Sequence, residues 1–232
     1  MRAKKRWLGV AALILVGLAA LPGKSGAQPF LEVRRTLDTP KPPKVIQEPP
    51  ATGKFLVASA ELLDPNFAET VVLLVDYNSE GALGVIVNRP TDTLVSEVMP
   101  ELEAMSDRSD RIWLGGPVAQ WQLVMLARSE GELAEGRLVM GDLYFTASRS
   151  ALESVLAEQR EFRLYVGYAG WSAGQLDQEI ERGGWRVLSA EISMVFDKAP
   201  LDLWRELIQR STVHWARRNG PAENHFADTP TP

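Results

Sequence analysis

Val71-Val72-Leu73-Leu74-Val75-Asp76-Tyr77 is followed by Asn78-Ser79-Glu80-Gly81 and then by Ala82-Leu83-Gly84-Val85-Ile86-Val87-Asn88. Two apolar, β-branched-rich runs separated by a short polar segment ending in glycine carry the signature of a β-hairpin, because glycine supplies the positive φ that a tight reversal needs. Neither run alternates apolar with polar residues, so both strands are expected to be covered on both faces. The hairpin is therefore expected at the centre of a sheet.

Working outward, Phe55 to Ala60 is a short apolar run suited to a buried strand, and Leu62 to Phe67 is a loop because Asp64-Pro65-Asn66 is turn chemistry. Downstream, the patterning predicts a short helix over Thr91 to Met99 and strands at Ile112 to Leu114, Gln122 to Ala127 and Leu143 to Thr146. Ser129 to Gly136 reads as an exposed acidic connection. Ser150 and Glu153 have the spacing of a capping box for a helix facing inward through Leu152, Val155 and Leu156. Phe162 to Tyr168 is a strand, Ala169-Gly170-Trp171 a turn, and Ser172 with Gln175 a second capping box ahead of Leu176 and Ile180. Trp185 to Leu188 and Ile192 to Phe196 read as strands. A final helix opens at Pro200 and turns Leu201, Trp204, Leu207 and Ile208 to one side. Strands dominate and helices intervene singly, so the fold class is α+β.

The chain has 232 residues, 45% of them hydrophobic and 24% charged, which excludes disorder throughout. It contains no cysteine, and its two histidines, His214 and His225, lie near the C-terminus. That excludes a disulfide scaffold, a thiolate metal site and a cysteine nucleophile. No cofactor, no metal site and no catalytic residue is assigned. Arg2, Lys4, Lys5 and Arg6 precede the apolar stretch Trp7 to Leu21, and Ser25-Gly26-Ala27 offers a small-residue cleavage site. Residues 1–27 thus read as a secretory signal peptide, its apolar stretch falling short of the roughly 20 residues that span a bilayer. The leader holds five of the 25 cationic residues and none of the 30 acidic ones, so the chain without it carries a net charge of −10. Such a chain lacks the positive field of a nucleic-acid binder. Residues 28–52 hold six prolines and read as a tether, 53–214 as one domain, and 215–232 as a flexible tail. The expected location is outside the cytoplasm, in the periplasm, with no membrane attachment after cleavage.

Gly53-Lys54-Phe55-Leu56-Val57-Ala58, Asp64-Pro65-Asn66-Phe67, Gly81 to Pro90, Gly115-Gly116-Pro117-Val118, Gly167 to Trp171 and Ala173-Gly174-Gln175-Leu176 follow one another at intervals that resemble the YqgE/AlgH family. The resemblance spans about 53 to 197. It implies a single compact α+β domain built on a coiled, mixed, largely antiparallel sheet flanked by helices, and no established reaction. One branch is labelled transcriptional regulator, which would imply an intracellular role touching DNA.

Several polar or glycine-bearing positions are candidates for a ligand site. Gly115 and Gly116 could expose backbone amides to an anion, or could let two chain segments pack closely. Gly170, Trp171, Ser172 and Gln175 sit between a strand and a helix start, where free N–H groups favour a phosphate or carboxylate; alternatively Ser172 is a helix cap. Asn66, Asn88 and Arg89 lie at strand edges, and Arg89 could either grip an anion or tie loops together through a carboxylate such as Asp64. Trp113, Trp121, Trp171, Trp185 and Trp204 read as core or edge packing, although Trp171 could also floor a pocket. The expected function is a non-enzymatic binding or regulatory module acting through a protein partner or a small anionic ligand. The alternatives are the intracellular regulator and an enzyme with an anion site formed by Arg89, Asn66 and the 170–174 segment. The loops at 64–67, 88–90, 115–118 and 170–175 each follow or end an apolar strand run and are expected to converge on one face.

Overall fold

The computed structural model describes residues 48–219, with side chains as far as Ser211. The expected leader, most of the tether and the end of the tail lie outside the described residues. Ten strands form one sheet: β1 (Lys54–Ala58), β2 (Val71–Asn78), β3 (Gly81–Ile86), β4 (Pro90–Leu94), β5 (Arg111–Leu114), β6 (Val118–Arg128), β7 (Arg137–Met140), β8 (Leu143–Thr146), β9 (Phe162–Ser172) and β10 (Trp185–Ser189). Five helices accompany them: α1 (Val95–Val98), α2 (Arg149–Ala157), α3 (Gln175–Glu181), α4 (Ile192–Phe196) and α5 (Pro200–Asn219). The main path runs β10-β1-β2-β3-β9-β6-β8-β7, with β5 on β9 and β4 on β5. Neighbours are antiparallel except β5 and β9, which are parallel.

The β2–β3 hairpin forms as expected, with Asn78 opposite Gly81. It lies inside the sheet and is buried on both faces. Val71, Leu73 and Val75 join Phe55 and Val57 in a core closed by Met194 and Val195 of α4 and by Leu203 and Leu207 of α5. Val72 and Leu74 join Leu56, Trp171 and Trp185 in a second core closed by Leu176 of α3. A third, around Met125, Phe162 and Leu164, is covered by α2 through Ala151, Leu152 and Val155. Burying each large apolar side chain contributes about 1.5–3 kcal/mol, so a strand covered on both faces is held far more firmly than an edge.

β9 joins the two parts of the sheet. Its first half pairs with β5 and β6, its second half with β3. The change of partners falls around Gly167, whose φ of +70° suits glycine. The expected turn at Ala169-Gly170-Trp171 is instead the continuation of this strand, paired to Ala82, Leu83 and Gly84.

Other expectations are corrected by what the segments find to pair with. Pro90–Leu94 is a strand on β5, fixed by a hydrogen bond from Thr91 Oγ1 to Ile112 O at 2.7 Å; only Val95–Val98 is helical. Ile192–Phe196 is a helix that packs Met194 and Val195 into the core, and a five-residue apolar run has too few turns to declare a period. β7 went unrecognised in the sequence. α2 is capped by Ser148, two residues before the expected serine, whose hydroxyl accepts from Ala151 N. In α5 the buried apolar residues as far as Ser211 are Leu203 and Leu207, while Leu201 is 82% exposed. The helix continues to Asn219, past the expected start of the tail at 215. The folded unit also begins before residue 53, since Glu48 pairs with Lys54 at 2.5 Å and accepts from Ser189 Oγ at 2.9 Å.

Candidate functional site

Asp64 shapes the loop between β1 and β2. Its side chain accepts the Asn66 amide at 2.8 Å and its carbonyl accepts those of Phe67 and Ala68, at 2.9 and 2.8 Å. The resulting turn lays Phe67 on Trp171, with ring centroids 6.0 Å apart and planes at 26°, and edge-on to Trp185 at 5.4 Å. Trp171 and Trp185 are themselves perpendicular neighbours at 6.0 Å. Edge-to-face and offset pairs of this kind add about 0.5–1.5 kcal/mol beyond area burial.

One carboxylate organises the two indoles. Glu179 of α3 accepts Trp171 Nε1 at 3.0 Å and Trp185 Nε1 at 2.9 Å on the same oxygen. Its other oxygen accepts Gln175 Nε2 at 3.0 Å. An indole N–H buried without a partner would cost about 1–3 kcal/mol, so Glu179 fixes both ring orientations as well as satisfying them. Beside this cluster lies an open cleft of about 430 Å³. Leu62, Phe67, Pro117 and Trp171 contribute its apolar lining; Glu61, Asp64, Gln175, Glu179 and Arg182 contribute its polar groups.

Three of the four expected loops meet here: Asp64 and Phe67 from the first, Pro117 from the third, and Gly170, Trp171 and Gln175 from the fourth all line the cleft. The second loop, carrying Asn88 and Arg89, does not line the cleft and is hydrogen-bonded to the first. Asn88 Oδ1 accepts Val71 N at 2.8 Å and its Nδ2 donates to Glu69 O at 3.0 Å. Arg89 donates to the carbonyls of Asn66 at 2.7 Å, Ala68 at 2.9 Å and Pro65 at 3.4 Å. Burial lowers its pKa and the nearby Asp64 charge opposes that shift. Arg89 therefore ties loops together, as one of its two sequence readings has it, but through backbone carbonyls rather than through the Asp64 carboxylate.

The other expected anion contacts are also engaged elsewhere. A side chain at Gly115 would meet Gly167 O at 2.3 Å, and one at Gly116 would meet Tyr168 O at the same distance, so these glycines serve close chain packing. The Gly115 amide donates to Val166 O at 2.9 Å. Ser172 is not the cap of α3; it lies in β9, while Gly174 in the left-handed conformation starts the helix. The Ser172 amide and hydroxyl both donate to Gln175 Oε1 at 3.1 Å. Asn66 is exposed and outside the cleft lining. The sequence reading missed Glu61, Phe67, Glu179 and Arg182 as site residues. Only Glu179 left a trace, its four-residue spacing from Gln175 on a short helix. Among the described residues no group of carboxylates or histidines is arranged to hold a metal.

Comparison with known proteins agrees with this architecture. The sequence model of the AlgH-like family, DUF179, matches residues 55–216. A UPF0301 protein of Rhodococcus opacus is 36% identical over 166 residues, covering 69% of this chain and 83% of its own length. One from Mycolicibacterium smegmatis is 38% identical over 171 residues with the same coverage. Among solved structures, a Corynebacterium diphtheriae protein superposes with a TM-score of 0.60 at 28% identity, covering 71% of this chain and 88% of that one. The solution structure of the AlgH protein from Pseudomonas aeruginosa gives a TM-score of 0.60 at 29% identity, over 76% and 97% respectively. The family model matches most of the chain and the relatives exceed 30% identity, so the chain belongs to the AlgH-like (UPF0301) family.

Proposed function

We propose that the protein is a non-enzymatic binding module, exported to the cell envelope, whose ligand or protein partner is seated in the cleft beside Trp171. The observation that carries this reading is the Phe67–Trp171–Trp185 cluster with both indole N–H groups fixed on Glu179. Aromatic walls held rigid by a second layer of hydrogen bonds, next to a concavity of ligand size, are the usual make-up of a preformed binding site. The leader sequence supports export, and the net charge of −10 after its removal supports a ligand or protein partner over nucleic acid.

The test is an NMR fragment screen on the full-length chain. Fragment-induced shifts are expected to concentrate on the Trp171 indole, Gly170, Gln175 and Gly183. Shifts confined to other surfaces, or none from a library of several chemical classes, would remove the cleft as the seat.

A further inference from the structure

Among the residues that line the cleft, Glu61, Asp64 and Glu179 are acidic and Arg182, whose guanidinium donates to Gln178 Oε1 at 3.3 Å, is basic; Glu179 is already taken up by Trp171, Trp185 and Gln175. Two further cations lie close by but are engaged with backbone: Arg89, which feels the Asp64 charge, donates to the carbonyls of the 65–68 segment, and Arg186 donates to Gly183 O at 3.5 Å. Glu61 makes no ion pair among the described residues, and Asp64 has one oxygen on the Asn66 amide. These carboxylates are spread around the opening rather than gathered as a metal site. Between them lies apolar and aromatic surface from Leu62, Phe67, Pro117 and Trp171. An apolar floor bordered by carboxylates is complementary to a molecule with a hydrocarbon body and a positive head, and repels phosphate or carboxylate. The acidic chain as a whole adds an attractive field for such a molecule.

We propose that the cleft binds an organic cation, an alkylammonium or guanidinium group whose apolar stem lies against Phe67, Trp171 and Pro117 while its charge meets Glu61 and Asp64. This rests on the cleft being the ligand seat. The same chemistry is offered by a free amine and by a lysine or arginine side chain of a protein partner.

Titration of the full-length chain, followed at the Trp171 indole N–H by NMR, tests it with n-butylammonium, choline and N-acetyl-Gly-Lys-Gly-amide. The neutral counterparts are n-pentanol, 3,3-dimethylbutanol and N-acetyl-Gly-norleucine-Gly-amide, and inorganic phosphate is the anion. Saturable shifts are expected from the cations, with the neutral counterparts at least about tenfold weaker and phosphate silent. Glu61→Gln with Asp64→Asn should weaken the cations about tenfold without moving the neutral counterparts. Preference for the peptide over the amine identifies a protein partner as the source; the reverse order identifies a small molecule. If neutral probes bind as tightly as cations, or if phosphate binds, the cation assignment falls while the seat stands. If no probe moves Trp171, the cation assignment falls, and a failed fragment screen would then remove the seat as well.

Discussion

Arg89 and Tyr165 show how a single side chain takes its meaning from its surroundings. Arg89 spends its guanidinium on three carbonyls of a loop that carries Phe67 into the aromatic cluster. With hydrogen bonds to a charged group worth about 1.5–3 kcal/mol and the group half-buried, Arg89→Ala is expected to cost about 2–3 kcal/mol. Thermal melts should show that loss equally with and without phosphate; a phosphate-dependent shift in the wild type alone would restore the anion-binding role. Tyr165 is buried with its hydroxyl lacking a hydrogen bond of ordinary geometry, the one such buried side-chain atom among the described residues. Burial raises its pKa, against the opposing influence of the Arg163 charge. A folded-state value above the unfolded value near 10 means its contribution is constant below about pH 10 and is lost as pH rises further, because the unfolded chain ionises first. Tyr165→Phe is therefore expected to hold stability near neutral pH or raise it by about 1 kcal/mol, and to flatten the alkaline decline. Denaturant melts at pH 7 and pH 11 measure both; an equally steep decline in the variant would contradict this account.

At the scale of elements, the meeting of β6 and β9 is tightly constrained. Val118 pairs with Tyr168 and Leu123 with Val166, so β6 carries three more residues than β9 between the two pairs. The excess folds over Gly167, where an added side chain would meet Gly116 O at 2.6 Å and Val118 O at 2.8 Å. Ala119 adopts a φ of +48° in the same bulge, and Trp121 is carried out to 86% exposure rather than into the packing expected for it. Gly167→Ala should cost about 3 kcal/mol from crowding and an unfavourable φ. Gly170→Ala, three residues along the same strand with nothing closer than 3.7 Å, should change stability by less than about 0.5 kcal/mol. Equal effects in a urea melt would mean that the bulge yields and is not a fixed feature. Neither outcome follows from the glycine spacing, since both positions belong to the same run of sequence.

At the scale of the whole molecule, the proposed export predicts a native chain beginning at or near Gln28 in the periplasmic fraction, read by N-terminal sequencing. Full-length protein recovered from the cytosol would overturn it. The sequence by itself determined the central hairpin, the two-faced burial of β2 and β3, the α+β class and the family. Those properties are written in contiguous residues: an unbroken apolar run, a glycine at a reversal, motifs at fixed intervals. It also marked most of the loops that surround the cleft, because turn chemistry is local. What it left open was which polar groups in those loops face outward. Arg89 reads equally as an anion grip or a loop tie until the carbonyls of Asn66 and Ala68 are brought beneath it. Glu179 is an ordinary helix carboxylate until Trp171 and Trp185, from two strands separated by a helix, point their N–H groups at one of its oxygens. Only the tertiary structure decided these roles, because a hydrogen bond is settled by distances of about 3 Å between groups far apart in sequence, and no local pattern encodes such distances.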